Sequence, residues 1–215
     1  MAELIFILGG ARSGKTTYAQ HLAQQMGGDD VLFVATAEGK DEEMQTRIAV
    51  HQRSRPAAWR TLEAPRHVGQ AIGSHAGSAA IVLVDCLTLL VSNTIVALGE
   101  EPDAVAAEAE VLAEVNELLS SQKQSPATVI VVSNEVGQGL VPPYPLGRVY
   151  RDLLGMANQM LAAQAQRVYW MVAGIPLDIR ALASIGAPNQ WPSGSSGQLV
   201  SLHRKGRKER KEEKA

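Results

Sequence analysis

Cysteine is nearly absent: Cys86 is the only one in 215 residues. No disulfide can close within the chain, which fits a reducing, cytoplasmic compartment. Long hydrophobic runs are missing too. The longest apolar stretch, Ala79 to Leu98, is broken by Asp85, Ser92 and Asn93, whereas a membrane span needs roughly 20 predominantly apolar residues. It reads as a buried strand followed by a helix, with no membrane span and a soluble protein. No basic, cleavable leader precedes the first strand-like run. No internal repeat is present, and no Cys/His cluster has the spacing of a structural zinc site.

Net charge is low as well. The formal charge of −2 argues against a nucleic-acid partner, but the charge is unevenly distributed. Residues 203–215 hold seven Lys/Arg and three Glu, whereas the first 202 residues hold 13 basic and 19 acidic side chains, a net of −6. Residues 184–201 are rich in Ser, Gly and Pro. We therefore expect one domain over 1–183 and a poorly ordered extension over 184–215.

Short apolar runs punctuate the first 183 residues. Leu4–Leu8, Val31–Ala35, Ala80–Asp85, Ala127–Ser133 and Val168–Ala173 read as strands, none strictly alternating. Helical patterns lie between them, over residues 14–26, Lys40–Arg53 and Leu146–Gln166, and on the face carrying Val111, Leu112, Val115, Leu118 and Leu119. Glu108, Glu110, Glu114 and Glu117 are expected on that last helix's wet side. Non-alternating apolar strands separated by helices predict an α/β fold, a mostly parallel sheet covered on both faces.

Gly9-Gly10-Ala11-Arg12-Ser13-Gly14-Lys15-Thr16 fits G-x-x-x-x-G-K-[ST] between a strand and a helix, the context that confirms a P-loop. Glycines let successive N–H groups turn inward as an anion cradle, and the next helix presents its positive end. Lys15 is expected on the β- and γ-phosphates of ATP or GTP, and the Thr16 hydroxyl on Mg²⁺. Asp85 ends a strand where P-loop proteins place a metal-holding carboxylate, though from position alone it could equally cap the next helix. A regulatory GTPase would add Asn-Lys-x-Asp and Asp-x-x-Gly. Neither is present, since Asp85 is followed by Cys-Leu-Thr and Asn134 by Glu-Val-Gly.

Met44, Arg47, Ile48 and His51 recur at three- and four-residue spacing, hence on one helical face. A cation one turn from His51 would favour the neutral, nucleophilic imidazole, and Arg53 and Arg55 could fork onto phosphate oxygens. Spacing alone leaves a plain surface histidine open.

GGARSGKT, Ala35-Thr36, DEEM…RI…H…RP…W, VDCLT, SNEVGQGLVP and Asn158-Gln159 occur in one order over about residues 4–180. Together they resemble the bifunctional adenosylcobinamide kinase / adenosylcobinamide-phosphate guanylyltransferase family of cobalamin biosynthesis. The resemblance implies a P-loop, RecA-like fold and two reactions: phosphorylation of adenosylcobinamide by a triphosphate, then GMP transfer from GTP through a guanylylated histidine, matched by His51. It also implies a nucleotide site lined by Gly9–Thr16, Thr36, Ala37, Glu38, Gln52, Arg53, Ser54, Arg55, Glu63 and Asp85, and a homo-oligomer, a trimer. Thr16 stands where Ser is common, and Asp85 where some members carry Glu.

Other residues keep two readings. Asn134 and Glu135 begin a Gly- and Pro-rich loop that is either a substrate lip or a connection. Arg148, Arg151 and Asp152 could steer phosphates or merely solvate a helix start. His21, His67, His75 and His203 read as surface residues, Trp59 and Trp170 as core. A P-loop small-molecule kinase without the guanylyl step, or a nucleotide-binding regulatory module using the basic tail, are the competing functions.

Overall fold

The computed structural model describes residues 2–39, 42–53, 55–99 and 101–183; the side chains of 43, 44, 47, 48, 50 and 51 lie outside that description. The Ser/Gly/Pro-rich and basic extension, His203 and Ser54 therefore also lie outside the described residues.

Seven strands form one sheet: β1 (Leu4–Gly9), β2 (Val31–Ala35), β3 (Arg60–Glu63), β4 (Ile81–Asp85), β5 (Thr128–Asn134), β6 (Arg167–Val172) and β7 (Ile175–Asp178). Their order is β3-β2-β4-β5-β1-β6-β7, parallel throughout except for β7, which runs antiparallel to β6. The five strand-like runs of the sequence become the inner strands. This is the doubly covered P-loop architecture that the sequence predicts.

Alternation along each strand sorts side chains between two cores. Leu4, Phe6, Leu8, Val82, Val84, Val129 and Val131 pack on one face. Four helices cover it: α3 (Val68–His75), α4 (Leu87–Val96), α5 (Ala104–Gln124) and α6 (Pro145–Gln164). Ile5, Ile7, Phe33, Leu83, Ile130 and Val132 face the other way, onto Ala19, Leu22 and Ala23 of α1 (Lys15–Gly27) and onto Trp59. Each large apolar side chain removed from water contributes about 1.5–3 kcal/mol. Trp59 is core, as expected, and its indole N–H is shared between Gln24 Oε1 (3.1 Å) and the Gly28 carbonyl (3.0 Å).

The expectation for Glu114 is corrected. It lies on the buried side of α5, 6% exposed, because its carboxylate accepts the His67 backbone N–H at 2.8 and 3.0 Å ahead of α3. His67 is at the surface, as expected, its side chain 63% exposed, with ring Nδ1 3.3 Å from that carboxylate. Two short helices, α2 (Glu42–Arg53) and α7 (Ile179–Ala183), complete the described elements. Among these residues no helix is long and apolar enough to cross a membrane.

Candidate nucleotide site

Six parallel strands end at one edge of the sheet, and the chain leaves β1 toward β2 on one side but β5 toward β6 on the other. Diverging connections of this kind open a crevice at the carboxyl ends of strands, where α/β proteins take ligands. The P-loop fills it.

Close approach fixes the loop's shape. A Cβ on Gly9 would stand 2.7 Å from the Met171 carbonyl oxygen and 2.6 Å from Ser13 Oγ, so only glycine fits between β1 and β6. Gly14 has φ +90° and meets Gly174 at the β6–β7 turn, whose N–H donates to the Ser13 carbonyl at 3.0 Å. The turn into the antiparallel β7, a strand that sequence reasoning missed, therefore buttresses the phosphate loop. The Ser13 N–H donates to the Gly10 carbonyl (3.3 Å), while Ser13 Oγ is buried with no partner among the described residues. Ala11 and Arg12 are exposed at the tip, Arg12 at φ +56°.

Lys15 is 8% exposed and its Nζ donates to the Gly10 carbonyl at 2.6 Å, which holds the ammonium over the loop. Burial, the largest cause, lowers its pKa, and the neighbouring Cys86 and Asp85 oppose this. Desolvation, then Asp85, pushes the Cys86 thiol up to about 11. The thiol is therefore neutral near pH 7, and Asp85 is the counter-charge that matters. Thr16 opens the second position of α1, half-buried.

Asp85 closes β4 on the α1 face, two residues beyond Leu83. The β4 end is held from β2. The Thr36 hydroxyl accepts the Cys86 N–H (2.7 Å) and donates to the Cys86 carbonyl (2.8 Å), and the Thr36 N–H donates to the Asp85 carbonyl (3.2 Å). Thr36 is fully buried, so its side chain acts on the site through the backbone it holds. Asn93 of α4, absent from the sequence-based set, secures the Thr36 carbonyl at 2.8 Å.

Arg55 reaches the same edge from beyond α2, its guanidinium 3.7 Å over the Phe33 ring. Burial lowers its pKa, while Asp85 and Glu63 raise it, so the three groups share one field. Glu63 ends β3 and is exposed; Ala37 and Glu38 follow Thr36, half-buried. Gln52 and Arg53 are exposed on α2, and Arg53 Nε donates to its own helix at Ala49 O (3.2 Å). His51 belongs to α2, but its side chain, like that of Arg47, lies outside the described residues. The structure thus gathers the P-loop, Thr36, Arg55, Glu63 and Asp85 at one edge.

The reading of Arg148, Arg151 and Asp152 as phosphate-steering is not what the structure displays. Arg148 donates to the Pro142 and Pro143 carbonyls (3.1 and 2.8 Å), bracing the loop after β5, and Arg151 pairs with Asp152 at 3.3 Å.

Residues 5–179 match the family model described as cobinamide kinase / cobinamide phosphate guanyltransferase. The chain belongs to that family. It is 38% identical over 182 residues to the bifunctional adenosylcobalamin biosynthesis protein CobU of Escherichia coli (strain K12), covering 82% of this chain and 99% of that protein. The Salmonella typhimurium CobU is 40% identical over 184 residues, with 82% and 99% covered. The Pseudomonas aeruginosa CobP is 42% identical over 174 residues, with 81% and 95% covered. Membership of the cobinamide kinase / cobinamide phosphate guanyltransferase family therefore spans nearly the whole described domain, P-loop included.

Proposed function

We propose that this chain phosphorylates adenosylcobinamide with ATP or GTP and then transfers GMP from GTP to the product, giving adenosylcobinamide-GDP. The observation that carries this is a P-loop whose buried Lys15 lies in the field of Asp85, within a chain of which 82% is matched by relatives named as bifunctional. In the first reaction the substrate hydroxyl oxygen bonds to the γ-phosphorus, the bond from that phosphorus to the bridging oxygen breaks, and the nucleoside diphosphate departs. The loop N–H groups and Lys15 stabilise the charge that develops. In the second, an imidazole nitrogen of His51 bonds to the α-phosphorus of GTP and pyrophosphate leaves. A phosphate oxygen of adenosylcobinamide-phosphate then displaces the histidine. One hard step becomes two easier ones.

Arg12, Arg53 and Arg55 are assigned to offset phosphate charge in both reactions, with Ala37, Glu38, Gln52, Ser54 and Glu63 lining the nucleotide. The oxygen donors of Thr16 and Asp85, with the unpartnered Ser13 hydroxyl nearby, suit a hard cation. These residues would hold Mg²⁺, which supplies charge neutralisation on the phosphates when bound. A cytoplasmic homo-oligomer, a trimer, is part of the same reading.

Incubation with labelled GTP and Mg²⁺ tests the second reaction. Intact-mass analysis is expected to find one acid-labile GMP adduct on wild type and none on His51→Ala. A wild-type chain without any adduct would remove the guanylyl half and leave the kinase.

A further inference from the structure

Beyond the residues already assigned, Asn134 stands at the end of β5, with Gly9 directly opposite it in the parallel register. Its neighbours along the strand establish where its side chain goes. Ile130 and Val132 pack into the α1-side core, whereas the Ser133 hydroxyl turns to the opposite face and donates to Asn158 Oδ1 at 2.7 Å. Alternation therefore brings the Asn134 side chain to the face shared by Asp85 and α1, immediately beside the P-loop.

The backbone there is unusually well held. The Asn134 N–H donates to Thr88 Oγ1 (2.7 Å), its carbonyl accepts from Asn158 Nδ2 (3.1 Å), and the next N–H, of Glu135, donates to the Gly9 carbonyl (3.1 Å). Thr88, Ser133 and Asn158 are 7, 0 and 5% exposed, so three buried polar side chains are spent on fixing one residue. That residue's own carboxamide is half-buried and makes no hydrogen bond to another described residue. A polar group pre-positioned by a second layer of hydrogen bonds is what a reacting site requires.

We propose that Asn134 is a catalytic residue of the phosphoryl-transfer step. Its amide N–H₂ binds an oxygen of the γ-phosphoryl group, and its carbonyl orients the attacking hydroxyl. The new bond joins that hydroxyl oxygen to the γ-phosphorus, the bond to the β–γ bridging oxygen breaks, and the hydroxyl proton passes through a phosphoryl oxygen to water. A neutral donor–acceptor pair is the chemistry this position calls for, because Lys15 and Arg55 already supply charge. Guanylyl transfer reacts at the α-phosphorus, two phosphates away, and does not use this contact.

The proposal rests on the kinase reading, so wild-type turnover is measured alongside. With adenosylcobinamide and saturating triphosphate, Asn134→Ala is expected to lose about 10²–10³-fold in kcat. The KM for triphosphate should rise no more than about 10-fold, the loss of one neutral hydrogen bond, and GMP-adduct formation at saturating GTP should stay within about 3-fold, because the α-phosphorus is out of reach. Asn134→Asp keeps the shape and provides the second variant should alanine compromise folding. It is expected to be equally defective in phosphorylation; its carboxylate also repels the phosphates and raises the KM for GTP, so its adduct formation is compared at saturating GTP, where it should proceed. Undiminished phosphorylation by either folded variant, or equal loss of both reactions, would overturn the role of Asn134. Absence of phosphorylation by wild type would instead remove the kinase reading, and this proposal with it.

Discussion

The Thr36 hydroxyl holds the main chain of Cys86, the only thiol of the protein, which follows Asp85 in the chain and lies within the field of Lys15. Desolvation and the Asp85 carboxylate favour the protonated thiol, raising its pKa from 9.0 to about 11. The sign follows directly: between those values the native chain keeps a proton that the unfolded chain has released. Only the thiolate is nucleophilic, so at pH 8 the native thiolate fraction is on the order of 10⁻³. Alkylation of Cys86 by iodoacetamide at pH 8 is expected to run at least about 10-fold slower in the native protein than in denaturant. Its native rate should climb only as pH passes 9 toward 11. Equal native and denatured rates at pH 8 would contradict this placement of the charge. Little of it could be read from a lone Cys in VDCLT: the Asp85 carboxylate adjoins it in the chain, but burial, the largest cause, is imposed only by the fold, and Lys15, brought near by the fold, opposes the shift.

Helices α3 and α5 show what a sequence pattern can and cannot convey. The apolar stripe of Val111, Leu112, Val115, Leu118 and Leu119 was legible by periodicity, and all are buried except Leu112, which is half-buried. Glu114 was not, since a carboxylate on a helix reads as solvated until the His67 N–H it serves is known. Strand β3 escaped notice because Arg60, Thr61 and Glu63 leave a polar, exposed edge, and β7 because its four residues also lie at an edge, with Ile175 62% and Leu177 42% exposed. The α3–α5 crossing is close enough that a Cβ on Gly69 would fall 2.5 Å from the Glu117 backbone. Gly69→Ala is therefore expected to destabilise the fold by about 1–3 kcal/mol, by overpacking against backbone that cannot yield. Denaturant titration would register this as a lower midpoint at unchanged slope. An unchanged midpoint would mean that the two helices can part at little cost.

At the scale of the whole molecule, the sheet was legible because its inner strands are buried on both faces and so written almost wholly in Val, Ile, Leu and Phe. The phosphate loop was legible because its chemistry constrains eight consecutive residues. The convergence of Thr36, Arg55, Glu63 and Asp85 was not readable from spacing, since they come from segments joined only by the strand order β3-β2-β4. It was reached through family resemblance, to which the match over residues 5–179 now adds. Nor could spacing tell whether Arg148 meets phosphates. The structure has it bracing Pro142 and Pro143 instead. The central claim is that one chain carries out both reactions on a corrinoid. The most direct measurement is mass-spectrometric analysis of products after incubating the purified protein with adenosylcobinamide, GTP and Mg²⁺. The account predicts adenosylcobinamide-phosphate first and adenosylcobinamide-GDP after it, with GDP and pyrophosphate released in turn. Unchanged adenosylcobinamide would contradict it.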